Sequence, residues 1–415
     1  MSGLTRRFLL TASAAAAGSA VLPKSLRAQS RRRPDIVVVG AGVFGAWTAK
    51  RLQEGGRSVL LLDAWGPAHA RASSGGESRM TRGAYGADEV YTRMATDSLS
   101  DWQALSDRAG LPLFHRTGVL FFFPRVEPFL EQTMAVHRRI GLPTELLDAA
   151  ALRRRFPQID FAGIEAGLFE PGFGALMARR AVQTLVAGFV RAGGGYRQAA
   201  VAPPRSDADT LAAIRTVDGA TVAAERFVFA CGPWLGRVFP DLLAARIFPT
   251  RQEVFFFAPP PGDRRFAPDR FPGWADFNGG DIYYGFPDLE ARGFKIAHDA
   301  HGPRMDPDTG DRTPSAAALA DVRAFMARRF PALADRPLSE ARVCQYENSS
   351  NGDLLIDRHP RWRNVVLVGA GSGHGFKHGP AVGRYAADLV LGRLATPEPR
   401  FSLATKAETE NRAVH

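Results

Sequence analysis

A chain of 415 residues with 45% apolar and 23% charged side chains has room for two domains around a large buried core, and its composition is neither disordered nor membrane-embedded. The formal charge of +11 gathers at the start: residues 1–33 hold seven basic side chains and no acid, leaving +4 for the rest, too little for a nucleic-acid surface. Two cysteines, Cys231 and Cys344, make neither a disulfide framework nor a cysteine zinc site.

MSGLTRRFLLTASAAAAGSAVLP pairs arginines with a modest apolar stretch and small residues, the layout of a twin-arginine export signal. Cleavage after Ala20 or Ala28 is compatible with it, and the expected location is the periplasm or the medium. The apolar run is too short to span a bilayer, and no second run is long enough. PDIVVVGAGVFGAWTAKRLQEGGRSVLLLDA then reads as strand, glycine turn, helix and strand. Gly40, Gly42 and Gly45 supply the tight turn, the close approach of a pyrophosphate and the packing of helix on strand. Asp63 closes the second strand, where a carboxylate accepts from ribose hydroxyls. A nicotinamide or a flavin dinucleotide fits this unit. The glycine- and serine-rich stretch that follows, with Arg79 and Arg82, favours flavin.

TGVLFFFP, IEAGLFEP, RQEVFFFAPP and GDIYYGFPDLEARGFKIAHD are rich in β-formers. ERFVFACGPWLGRV and RNVVLVGAGSGHGFKHGP look like further strands of the nucleotide-binding sheet, and Cys231 in the first is expected as a packed strand residue. PPPGDRRFAPDRFPG reads as a proline-rich surface loop. The expected fold class is α/β: a Rossmann-like domain built from discontinuous segments (34–115, 170–245 and 345–398), with an inserted domain (116–169 and 246–344) containing an antiparallel β-sheet, and a tail over 399–415. The basic residues comprise 48 arginines and only five lysines, and two of the five, Lys295 and Lys377, sit in GFKIAH and in the glycine-rich GAGSGHGFKHGP.

Taken together, GAGVFGAWTA, SSGGESRMTRGAYG, EPGFGALMARRAV, FACGPWL, DIYYGFPD, CQYENSSNGDLLIDRHP and VLVGAGSGHGFKHGPAVG resemble the monomeric sarcosine oxidase family, within the wider D-amino-acid-oxidase-like flavoproteins. The resemblance runs from about residue 34 to 395. It implies FAD, oxidation of a secondary (N-methyl or cyclic) or primary amino acid by hydride transfer to flavin N5, and reoxidation by O₂ to hydrogen peroxide. It also implies covalent attachment of the flavin through Cys344, a substrate-carboxylate clamp of Arg82 and Lys377, and activation of dioxygen by Lys295. Tyr284 and Tyr346 match the lining of the substrate cavity. Arg79 and His374 match groups near the flavin, and Gly371, Gly373 and Gly375 belong to the cofactor loop. This chain departs from the family at Gly75 and Gly76, where better-known members carry histidines, and at Asp299, where the family has a histidine and the nearest one here is His298. Those changes bear on the substrate more than on the reaction. The expectation is a monomeric oxidase with a small amino-acid-like substrate and O₂ as partners, binding no nucleic acid. Rival readings are a dehydrogenase of the same fold feeding a quinone or cytochrome, and a non-catalytic FAD-containing binding protein.

Overall fold

The computed structural model describes residues 33–278, 281–300 and 302–409; the segment expected to be an export signal, apart from Arg33, lies outside the described residues. Two sheets organise the chain. The first is built on Ile36–Val39, buried at every position, as a parallel strand covered on both faces must be. Val59–Asp63 pairs with it on one side and Arg226–Phe229 on the other, both parallel. Gly195–Gln198 and Val365–Gly369 extend the sheet in parallel, and Leu355–Arg358 closes one edge antiparallel. The helices Val43–Glu54, Ala178–Arg191 and Gly379–Leu391 share a core with it, where Trp47 meets Trp102 edge-on at 5.3 Å.

The second sheet has eight strands in the order Leu338–Ser349, Ile247–Phe257, Phe294–His298, Asp281–Phe286, Gly273–Asn278, Val119–Phe123, Ala166–Glu170 and Glu145–Asp148. All its pairs are antiparallel except Val119–Phe123 with Gly273–Asn278, so the sheet is mixed. Those two strands are joined by a long excursion and not by a hairpin, so no tight turn dictates their relative direction.

Register assigns each side chain to a face. Phe255, Phe257, Ile296, Tyr283 and Trp274 share the face covered by helix Ala316–Arg329, where Trp274 stacks on Phe294 and Phe325. A short third sheet joins Ser78–Thr81, Gly174–Met177 and Phe114–His115. The proline-rich loop is less loose than its composition implies, because Phe266 and Phe271 bury in the aromatic core beneath it. Residues 399–409 pack as well: Phe401 and Lys406 are buried, and Arg400 pairs with Asp88 and Asp353.

On the helix-covered face, Arg329 Nε meets Asp276 Oδ2 at 2.8 Å, and its Nη1 donates to the carbonyls of Asp160 and Ala162. Both partners are buried, so removing one strands the other's charge. Arg329→Ala is expected to lower unfolding stability by about 3–5 kcal/mol in urea melts. A loss below about 1 kcal/mol would mean that the pair is not closed off from water.

Candidate active site

The first βα turn makes a cradle. Gly40 has φ +105°, and a Cβ there would stand 2.2 Å from Ala230 O; a Cβ on Gly45 would stand 1.9 Å from Gly40 O. Both positions are closed to a side chain by the protein itself. Gly42 differs: a Cβ would meet only Ser74 Oγ, at 3.5 Å, an ordinary contact. Gly42 is the N-cap of helix Val43–Glu54 and gives it no side-chain cap, while Ser74 Oγ accepts from Val43 N–H at 3.1 Å. A helix N-terminus of this kind attracts phosphate.

Asp63 is bound more tightly than its spacing implied. Its Oδ2 accepts from Ala41 N–H at 2.7 Å, and its Oδ1 accepts from the amides of Trp65 and Gly66 at 2.9 and 2.8 Å. The carboxylate therefore shapes the turn on both sides. These groups line a cavity of about 390 Å³ that also touches Trp65, Trp234, Arg79, Tyr346, Glu347, Gly371, Gly373 and Gly375. Cys231 packs against the sheet's hydrophobic core as expected, but it lies two residues beyond the strand that ends at Phe229 and is also a wall residue of the cavity. Burial pushes its thiol well up, with Asp63 and Glu347 acting the same way. An uncapped helix start, open space over Gly42 and a cavity running from Asp63 to Arg79 and Tyr346 fit an elongated dinucleotide.

The second sheet contributes the far end. Its register pairs Phe256 with Lys295, Phe286 with Lys295, Gln252 with Cys344 and Thr250 with Tyr346. Two-residue alternation thus puts Tyr284, Lys295, Cys344 and Tyr346 on one face, opposite the aromatic core. Arg79 reaches this face from Ser78–Thr81, donating to Ser78 O and Ser73 O at 2.9 Å each. It lies within hydrogen-bonding range of the Cys344 sulfur; burial opposes its charge, but Cys344, Tyr284 and Tyr346 raise its pKa on balance. Lys295 Nζ donates to the same Ser78 carbonyl at 3.0 Å. Burial, then Arg79, brings its ammonium down to about 7, with Cys344 and Glu77 pulling the other way. Tyr346 donates to Asp299 at 3.0 Å, so the residue at the departed histidine position touches the site, whereas His298 stacks on Tyr283 at 4.3 Å on the other face. Burial, then Asp299, raises the Tyr284 hydroxyl to about 12.

The loop after Val365–Gly369 is wound tightly, with positive φ at Ala370, Ser372 and Gly373. A Cβ on Gly373 would stand 2.7 Å from the Tyr346 ring. One turn on, buried Lys377 donates to Tyr85 Oη and to His374 O, each at 2.7 Å. The Arg82 guanidinium lies 4.0 Å over the Tyr85 ring, so Tyr85 brings Arg82 and Lys377 together. His374 belongs to this group, its Nδ1 3.2 Å from Tyr85 Oη. Arg79 and Tyr346 form part of the cavity wall; Arg82, Tyr284, Lys295, Cys344, His374 and Lys377 are not among its lining residues.

Sequence reasoning missed four residues. Ser74 lay in the quoted serine-rich stretch, with nothing to mark its contact with Val43. Tyr85 read as core. Glu170, the lone acid of GLFEP, is fully buried and accepts from Gly83 N–H; burial lifts it to about 8 against the pull of Arg82. Glu347 follows Tyr346, and burial lifts it to about 8 against the amides of Ala370 and Gly371. A charged residue inside an apolar run was the available signal for Glu170, whereas Glu347 stands among the polar residues of CQYENSSNG and carried no such signal. No cluster of three or more His, Cys, Asp or Glu that could hold a metal ion occurs among the described residues, and no described helix is long and apolar enough to cross a membrane.

A glycine cradle on one sheet, facing a second sheet that presents a buried lysine and a cysteine beside an arginine, defines a dinucleotide-binding protein of the two-sheet class. The chain belongs to the FAD dependent oxidoreductase family, whose model matches residues 35–389. It is 30% identical over 373 residues to monomeric sarcosine oxidase of Bacillus sp. (strain B-0618), covering 86% of this chain and 92% of that protein. It is 31% identical to N-methyl-L-tryptophan oxidase of Citrobacter koseri, covering 89% and 96%. The fold is shared with L-proline dehydrogenase from P. horikoshii, at TM-score 0.78 and 20% identity over 90% of this chain and 97% of that one.

Gly45→Ala is expected to cost about 3 kcal/mol or more of folding stability from overpacking. Gly42→Ala should fold normally and lose FAD affinity at least about tenfold. Melts and FAD titration of the apoprotein separate the two, and equal behaviour of both variants would contradict the division of roles.

Lys295 offers a second test. Its folded pKa of about 7 lies below the ordinary lysine value of 10.5, so the unfolded chain binds more protons between those values. The cost of burial is complete below about pH 7 and fades as pH rises to 10.5. Lys295→Met should therefore raise the apoprotein Tm by about 2–6 °C below pH 7 and by progressively less at alkaline pH.

Proposed function

We propose that this protein is an oxidase of a secondary or primary amino acid, releasing hydrogen peroxide. The observation that carries the proposal is the meeting of two buried cations, Arg82 and Lys377, at Tyr85, with a third, Lys295, on a separate sheet face. The sarcosine and N-methyltryptophan oxidases to which the chain is similar support the reaction class.

FAD, when bound, supplies the acceptor for the hydride and passes the electrons on. Gly40, Gly42, Gly45, Ser74 and the start of the Val43–Glu54 helix would hold its phosphates, and Gly371, Gly373 and Gly375 would hold the far end. Arg82 and Lys377 take the substrate carboxylate: a planar guanidinium offers two parallel donors, and a compact ammonium closes the other side. Fixing the carboxylate orients the C–H bond that is to break, so the clamp acts on turnover as well as on affinity. Tyr346 lines the cavity and Tyr284 lies on the same sheet face, and burial keeps both as neutral phenols at physiological pH. Lys295 presents a small positive charge to incoming dioxygen. Cys344, on the sheet face that Arg79 reaches, is the point of covalent attachment. Residues 1–33 direct twin-arginine export of the folded, flavin-loaded enzyme to the periplasm.

The test is an amine panel on purified yellow protein, scored by anaerobic bleaching of the flavin and by peroxide output. Bleaching with at least one amino acid followed by peroxide on aeration is expected. Bleaching without peroxide would favour a dehydrogenase, and no bleaching at all would sink the enzyme reading. In stopped flow, Lys295→Met should slow reoxidation by about a hundredfold or more while nearly sparing reduction. Colour retained in an acid-precipitated wild-type pellet and lost from Cys344→Ser would establish the tether.

A further inference from the structure

Tyr85, four residues beyond the Ser78–Thr81 strand, stands between the two cations assigned above to the carboxylate clamp. Two imidazoles approach the same phenol oxygen: His378 Nε2 at 2.8 Å and His374 Nδ1 at 3.2 Å. Counting hydrogens settles the direction of each bond. An ammonium only donates, so Lys377 occupies one lone pair of Tyr85 Oη. The carbonyl of Gly352, 3.0 Å from His374 Nε2, only accepts, so that nitrogen carries the hydrogen. With the ring hydrogen on Nε2, Nδ1 is the acceptor for the phenol hydrogen. His378 is buried and stays neutral, pushed well below its ordinary value by burial and then by Lys377, His374 and Arg82. Its Nε2–H fills the second lone pair of Tyr85. The phenol thus accepts twice and donates once, and turning it in any direction forfeits a buried hydrogen bond.

We infer that Tyr85 is the positioning residue of the clamp: its oxygen, locked by His374 and His378, fixes the Lys377 ammonium, while its ring seats the Arg82 guanidinium. This rests on the reading of Arg82 and Lys377 as carboxylate ligands. Tyr85 need not touch the substrate; it acts through the two cations that do.

The test is a double-mutant cycle on the holoenzyme, with propionate as the probe, propionamide as the uncharged control and the flavin absorbance shift as the readout. Tyr85→Phe keeps the ring and deletes the oxygen, and should weaken propionate binding about tenfold while leaving propionamide unchanged. Lys377→Met should weaken propionate more. The double variant should match Lys377→Met alone, because the phenol acts through the ammonium. His378→Phe removes the lock and keeps the phenol; it serves as the second variant if Tyr85→Phe folds poorly, with about a threefold weakening expected. Unchanged propionate affinity in both variants, or factors that multiply in the double variant, would overturn the positioning role. Wild-type protein that holds FAD and binds neither propionate nor any amino acid would overturn the clamp reading itself.

Discussion

The Ser78 carbonyl accepts a hydrogen bond from Arg79 at 2.9 Å and another from Lys295 at 3.0 Å. One cation comes from the segment that follows the nucleotide cradle, and the other comes from the second sheet. The shared oxygen is therefore the point where the two halves of the site are held in register. Two positive charges on one carbonyl, Lys295 buried and Arg79 half-buried, repel each other where little water screens them. The cost is visible in Lys295, whose ammonium is brought down to about 7. The sulfur of Cys344 and the carboxylate of Glu77 offset part of it. Tyr284, Tyr346 and Cys344 take their places on the same face because strand pairing propagates one register across four strands.

The division between lysine and arginine follows from this crowding. Lys295, Lys377 and Lys406 are buried, whereas many arginines form partly exposed ion pairs, such as Arg237 with Asp306 and Asp308 or Arg180 with Glu290. An ammonium needs few acceptors and takes them from backbone carbonyls and hydroxyls, as Lys377 does from His374 and Tyr85. A guanidinium fills more space and spreads over an aromatic ring, as Arg82 does on Tyr85. Buried acids complete the balance. Glu170 lies near Arg82 and Lys377, and Glu347 borders the cofactor cavity; each is pushed up to about 8 by burial.

Much of the cradle was legible in the chain itself. The order of strand, glycine turn, helix, strand and acid is local: Gly45 answers to Gly40 and Gly42 to the start of one helix, and only the contact that closes Gly40, with Ala230, is distant in sequence. The strands of the second sheet were legible as β-rich segments, but their order was not. The parallel join of Val119–Phe123 to Gly273–Asn278 connects residues far apart in sequence, and no local pattern encodes it. The same holds for Cys231, which local pattern places in a strand and the fold places on the cavity wall.

By itself, the sequence determined which segments could be strands and helices, where the backbone had to turn, and which scarce residue types stood in unusual company. Hydrophobic period and steric demand act over a few residues, so they can be read in order along the chain. Only the tertiary structure decided that Ser74 meets Val43, that Tyr85 joins Arg82 to Lys377, and that His298 turns away while Asp299 meets Tyr346. Each of these depends on strand register or on loops packing together across tens to hundreds of residues. A one-residue slip in register would send every one of those strand side chains to the opposite face.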